Sequence, residues 1–188
     1  MFAFDTNKID LKSQKIEYLL RRISVGDNSA LGSLYELVKN DIYAYALSKM
    51  KNPADAEDVL HDVFVKIYKY AAKYHAQGKP MAWIMTITVN VAHRHRELKS
   101  RHVSYNEKVG GLESSYNLLE DNTIRSDFVR CLMKALSEEE REIVVLHAVS
   151  GFKHREIADI LDIPLSTVLS KYHRSIKKLK TVAKEEWI

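Results

Sequence analysis

Between Leu165 and Lys178 the chain sets hydroxyls and cations at helical intervals. At about 100° per residue, Ser166, Ser170, His173, Arg174 and Lys177 fall on one side of a helix, with Thr167, Lys171 and Lys178 at its margin. Leu165, Val168, Leu169, Tyr172, Ile176 and Leu179 gather on the other side. Small polar groups near a helix N-terminus, followed by cations, suit a helix that enters the major groove of DNA. There the hydroxyls meet base edges or phosphates, and Lys and Arg neutralise the backbone. No acidic residue occurs between Ile163 and Lys184. A merely solvated face of a bundle helix, the competing explanation, more often mixes signs.

Other residue types invite chemistry that their spacing rejects. His93 and His95 lie two apart, which on a helix turns them about 200° from one another, so they cannot share an ion. The acids Asp55, Glu57, Asp58 and Asp62 follow a helix start, where the dipole favours negative charge, and need no divalent metal to explain them. Cys131 is the single cysteine, which excludes an intramolecular disulfide and a multi-cysteine zinc site; among apolar neighbours it reads as a small buried hydrophobe. Neither a nucleophile–base pair nor a phosphate-cradling Gly-rich loop is present. We expect no catalytic residue, no metal and no cofactor: the protein is not an enzyme.

The elements that must carry these groups are helical. Gly and Pro are scarce, and apolar residues recur at i, i+3 and i+4 through most of the chain. Residues 11–50 carry this period, with a break near Gly26-Asp27-Asn28-Ser29. Asn52-Pro53-Ala54-Asp55 is a helix start: a capping side chain, a proline suited to the first position, and a carboxylate near the positive end. From it Ala56, Val59, Leu60, Val63, Phe64, Ile67 and Ala71 form one apolar stripe. A loop with Gly78 and Pro80 follows, then a helix from about Met81 to Leu98. Periodicity fails between about Lys99 and Asn122, a stretch too long for a loop inside one compact domain. Helical pattern resumes at Thr123. Ser137-Glu138-Glu139-Glu140 is a capping box, and Gly151 is placed to end the helix it starts. A short helix spans 153–161, with Ala158 at a close approach, and Pro164 opens the next.

With 188 residues, 46% hydrophobic and 29% charged, the chain suits folded rather than disordered structure. We expect an all-α fold of two small helical domains, 1–98 and 123–188, joined by a flexible linker at 99–122, the second domain a helix-turn-helix. The net charge of +4 does not by itself imply nucleic acid, but its distribution does more. Residues 123–162 hold six Lys/Arg against eight Asp/Glu; residues 163–188 hold six against two. No signal-peptide core opens the chain, and the apolar run from Ala82 to Ala92 is too short to span a bilayer. A cytoplasmic protein without membrane insertion is expected.

The segments "NPADAEDVLHDVFVKIYKY" and "MAWIMTITVN" resemble region 2 of bacterial RNA polymerase sigma factors, in particular the extracytoplasmic-function (ECF) group. "LSEEEREIVVLHAVSGFKHREIADILDIPLSTVLSKYHRSIKKL" resembles their region 4. Order, spacing and intervening linker agree over nearly the whole chain. The resemblance implies a promoter-specificity subunit that binds core RNA polymerase, through the β′ clamp helices and the β subunit. It also implies recognition of promoter DNA at −35 and −10 elements, stabilisation of melted DNA, and control by an anti-sigma factor. On this resemblance Asp58, His61 and Asp62 take the polar clamp contacts, with Phe64 packing nearby. The loop Tyr74–Met81 takes up a flipped −10 base, Trp83 is structural, and Asn90 lies on the −10 helix. Lys73, Tyr74, His75, Lys79, His93, Arg94 and Arg96 supply the cations and aromatic faces that a melted strand requires.

Several positions depart from the family pattern. His61 stands where Gln is usual, Val89 where Arg is frequent, and Arg94 where Asp is frequent. Lys153 replaces a common capping Ser or Thr, and Leu169 replaces a frequent cation on the recognition helix. The leading alternative is a stand-alone helix-turn-helix regulator, and a more distant one is a helical adaptor that binds only protein. A simple regulator does not need the Asn52 helix together with "MAWIMTITVN", and a lack of salt-sensitive DNA binding by residues 123–188 would support the adaptor.

Overall fold

The computed structural model describes residues 6–76, 78–103 and 134–185, and every regular element in them is helical. Helix α1 spans Thr6–Ser24, α2 Asn28–Met50, α3 Pro53–Tyr70 and α4 Pro80–Val103; a 3-10 turn, Ala71–Lys73, prolongs α3. Helices α5 (Glu138–Ala148), α6 (His154–Leu161) and α7 (Leu165–Glu185) follow. From residue 104 onward the expected linker lies outside the described residues, as does Cys131.

Local chemistry sets most boundaries. Gly26, at φ 89°, turns the chain after α1. Asp27 then caps α2, its Oδ1 accepting from the Ser29 amide at 2.9 Å and the Ala30 amide at 3.3 Å. Hydrogen bonds from the Ser29 side chain and from Arg22 are the main cause that holds the Asp27 carboxyl at about 2, below its ordinary 3.8. A carboxyl displaced downward in the folded chain contributes stability above its unfolded value and loses it as the pH falls towards the folded one. Wild-type protein should therefore lose stability between about pH 4 and 2 that an Asp27→Asn variant does not lose. Urea midpoints measured across that range would show the difference.

Asn52 caps α3 by accepting from the Asp55 amide at 3.3 Å, and Pro53 is its first residue. Helix α4 runs five residues past the expected Leu98, because 99–103 contain neither Gly nor Pro and Lys99 is paired with Asp55 of α3. The capping box of α5 forms as the spacing predicts: the Glu140 amide donates to Ser137 Oγ at 3.3 Å, and the Ser137 amide to Glu140 Oε2 at 2.8 Å. Helix α6 has only half of such a box. Lysine cannot accept, so Lys153 offers nothing to the helix amides, and Glu156 alone reaches back to the Lys153 amide at 2.9 Å. Asp162, at φ 52°, makes the corner. Pro164 stands one position earlier than expected, its carbonyl accepting from the amides of Thr167 and Val168.

Helices α1–α4 pack around Leu34, Val38, Ile42 and Tyr45 of α2, all fully buried, with Ile16, Leu20, Val63, Ile67 and Ile84 from its neighbours. Full burial of a Leu or Ile side chain contributes about 1.5–3 kcal/mol against leaving it in water. In the C-terminal half α5 is the centre: every residue from Glu140 to Leu146 is buried, charged ones included. Ile157, Ala158 and Ile160 of α6 and Val168 of α7 close over it. Helix α5 also lies against α2, and α6 against α4, so one apolar cluster runs through both halves.

Candidate nucleic-acid interface

The face of α7 lies as its spacing predicts. Ser166, Ser170, His173, Arg174 and Lys177 are exposed, whereas Val168 and Ser175 are fully buried on the other side. Part of the expected margin is turned inward. Thr167 and Lys171 are half-buried, Lys171 is paired with Glu139 of α5, and Lys178 binds Glu140 Oε2 at 2.7 Å. These two lysines tie α7 to α5. An aromatic cluster holds the same helix from its apolar side. His147 and His154 stack at 4.6 Å between centroids, and Tyr172 sets its ring against them at 4.9 and 4.5 Å. The His154 imidazole lies below its ordinary value, because burial disfavours its charged form and His147 and His173 add like charge.

A second group surrounds the turn between α3 and α4. Lys73, Tyr74, His75 and Lys79 line a cleft of about 370 Å³ together with Ala82, Trp83 and Thr86 of α4. Lys73, His75 and Lys79 are exposed, and the half-buried Tyr74 ring meets Trp83 at 5.3 Å. Cations around two aromatic faces are what an unstacked base on a charged backbone requires. Glu156, Asp159 and Ile160 of α6 form the opposite wall of the cleft. Two acids thus face the basic loop from the C-terminal half.

The remaining residues expected at the −10 element do not join this cleft. Asn90 and Arg94 are exposed on α4, whereas His93 and Arg96 lie at the seam between the halves. There Lys49 Nζ, 5% exposed, meets Glu138 Oε1 at 2.7 Å and His93 Nε2 at 3.2 Å, and is paired with Glu142. Tyr45 donates its hydroxyl to Glu142 Oε2 at 3.2 Å, and Arg96 is paired with Glu138. Burial pushes the Glu142 carboxyl up; His93 and Lys49 more than offset this and hold it below its ordinary value. His95, on the other side of α4, binds Asp62 of α3 at 2.7 Å, so the two histidines serve different partners.

On α3 the expected polar contacts Asp58, His61 and Asp62 are exposed, while Phe64 is 8% exposed and packs on Tyr35 at 5.0 Å. Beside them runs an apolar groove of about 520 Å³, to which Leu31, Tyr35, Val65 and Tyr68 contribute. Its apolar walls with a polar rim have the anatomy of a protein-docking surface. Sequence reasoning missed the groove's Leu31 and Val65, and it missed Lys49, Glu138 and Glu142. The signal for Glu142 was in the sequence: an acid followed directly by the apolar run Ile143 to Leu146, on a helix with no polar side to spare.

Comparison with known proteins joins the two halves. The family model for Sigma-70 region 2 matches residues 34–102, and that for Sigma-70, region 4 matches 129–179. An ECF RNA polymerase sigma factor SigK of Mycobacterium sp. (strain KMS) is 26% identical over 179 residues, covering 88% of this chain and 89% of that protein. SigK of Mycobacterium tuberculosis (strain ATCC 25618 / H37Rv) is 23% identical over 177 residues, covering 89% and 93%. Among solved structures, the sigma factor RpoE in complex with the anti-sigma factor NepR, from Bartonella quintana, aligns with a TM-score of 0.65 at 25% identity. It covers 81% of this chain and 96% of that one. CnrH in complex with the cytosolic domain of CnrY aligns at 0.63 and 21% identity, covering 91% and 98%.

Proposed function

The chain belongs to the sigma-70 family, as an ECF-type member with regions 2 and 4, and from that premise we propose how its surfaces divide the work of promoter-specific initiation. The residues up to the end of α4 at Val103 form the domain that binds core polymerase and the −10 element, the stretch from there to 122 is the linker, and 123–188 form the domain that reads the −35 element. The exposed side of α7 enters the −35 major groove with Ser166, Ser170, His173, Arg174 and Lys177, and Thr167 and Lys171 border it. The cleft of Lys73, Tyr74, His75 and Lys79 takes an unstacked −10 base, with Asn90, His93, Arg94 and Arg96 along the strand's path. Asp58, His61, Asp62 and Phe64 of α3 dock on core polymerase, His61 and Phe64 from the wall of the apolar groove. It carries out no catalysis of its own and works in the cytoplasm beside the polymerase; no helix among the described residues is long and apolar enough to cross a membrane.

One observation carries this reading above a stand-alone regulator: a basic, aromatic cleft and an acid-free helix face occur in one chain, beside an apolar groove that duplex reading does not need. Run-off transcription with core polymerase tests it. Transcription only when this protein is added is the expected result; footprinting of operator DNA without polymerase would favour the regulator.

The reading has a mechanical corollary. Glu156 and Asp159 line the cleft, and their like charge would repel a phosphate backbone brought into it. Helix α6 must leave the cleft before the strand enters, so the two halves separate on the way to the promoter. An anti-sigma factor, as NepR is to RpoE, would act here by covering the polymerase-docking faces.

Asp62→Ala should weaken association with core polymerase about fivefold to tenfold. Its exposed pair with His95 contributes at most about 1 kcal/mol to folding, so the melting temperature should hardly move. Undiminished co-purification with core would remove the assignment.

A further inference from the structure

One carboxylate oxygen outside the cleft fixes the shape of the loop that forms it. Glu17 Oε1 of α1 accepts from the Tyr74 hydroxyl at 2.9 Å and from the Gly78 amide at 3.2 Å. The two donors stand on either side of His75, at the start and near the end of the loop. Gly78, at φ 70°, makes the turn that aims its amide inward. Glu17 is itself held firmly. Ile16, Leu19 and Leu20, its neighbours along α1, are buried in the core of the N-terminal half. The loop is therefore fastened to a rigid helix rather than left to its own turn preferences. Glu17 does not line the cleft, and α1 precedes the segment that matches region 2.

We propose that Glu17 is a positioning residue for −10 base selection: by bridging Tyr74 and Gly78 it sets the loop in the one conformation that discriminates between bases. The proposal rests on the cleft's being the site of base capture. Discrimination among bases depends on donors and aromatic faces held to within about 0.5 Å, and groups on a free loop do not meet that demand. A carboxylate so near the strand's path would ordinarily repel phosphate. Here its Oε1 is engaged by two donors, and Glu17 is not part of the cleft's lining. Glutamine at position 17 retains a carbonyl oxygen able to accept both bonds; alanine retains none.

The test uses holoenzyme assembled from core polymerase and the full chain, on a set of promoters that vary only in the −10 element. Run-off yield gives the base preference at each position. Glu17→Ala should reduce discrimination at the captured base about tenfold, with −35 duplex affinity and core binding within twofold of wild type. Glu17→Gln should restore most of the discrimination, and Tyr74→Phe, which removes one donor, should fall between them. Rescue by the amide separates this role from a general loss of folding, which would lower transcription from every promoter alike. An unchanged base profile in Glu17→Ala, alongside altered profiles in His75→Ala and Lys79→Ala, would overturn the proposal and leave the cleft's function standing. Unchanged profiles in His75→Ala and Lys79→Ala would overturn base capture by the loop, and the role of Glu17 with it.

Discussion

Replacing Lys49 by methionine should cost about 3–5 kcal/mol of the closed structure's stability, because it leaves the Glu142 carboxylate buried without its cation. Glu142 is 7% exposed on its side chain, and the remaining polar partners, Tyr45 and His93, cannot replace a permanent charge. The chain has one escape. If the seam opens, Glu138 and Glu142 regain water, so the loss is limited to whatever free energy holds the halves together. Urea unfolding should therefore show a lower midpoint, and small-angle scattering a larger radius of gyration, for Lys49→Met than for wild type. Adding Glu142→Leu and Tyr45→Phe should bring both back most of the way, since apolar groups of similar volume replace a buried pair at little or no cost. A single variant with wild-type midpoint and radius would mean that the pair contributes nothing to closure.

The second large effect is expected on α7. Arg174 is exposed at the centre of the acid-free face, its Nε donating to the Ser170 carbonyl at 3.3 Å. On the proposed −35 reading, a guanidinium so placed would meet a base edge or a phosphate, and the two roles differ in what they leave behind. Loss of a bidentate base contact costs about 1–3 kcal/mol and relaxes preference at one position of the −35 element. Loss of a phosphate contact weakens all sequences alike and lowers the salt dependence by about one counterion. Arg174→Ala should thus reduce promoter-duplex affinity by about tenfold or more, with core-polymerase binding intact. Titrations on two duplexes at several salt concentrations distinguish the two roles, and unchanged affinity would exclude Arg174 from the interface.

What the sequence made legible is what short stretches decide. The stripe of α3, the capping box at Ser137 and the segregated face of α7 each depend on residues within a turn or two of one another, and each stands where its spacing puts it. The pairing of Lys171 and Lys178 with α5 was hidden because their partners, Glu139 and Glu140, lie 32 and 38 residues earlier. Lys49 and Glu142 are 93 residues apart and Glu17 and Gly78 are 61, and no local pattern links such positions. Helix α5 shows the same limit. Buried on every side, it has no amphipathic period to reveal what packs against it.

The helix-turn-helix keeps separate the residues that hold it together and those that face outward. Ile157, Ala158, Ile160 and Val168 are buried, with Tyr172 against the histidine pair; Ser166, Ser170, Arg174 and Lys177 share none of that packing, and His173 meets only the Tyr172 ring, at 6.1 Å. Substitutions at exposed positions away from caps and cores usually change stability by less than about 0.5 kcal/mol. The outward set can therefore be rewritten almost independently of the fold, by drift or by design. On the proposed −35 reading, α7 is a retargetable cartridge: exchanging these five side chains should address a different promoter while the corner at Asp162 and the seam at Lys49 are left untouched.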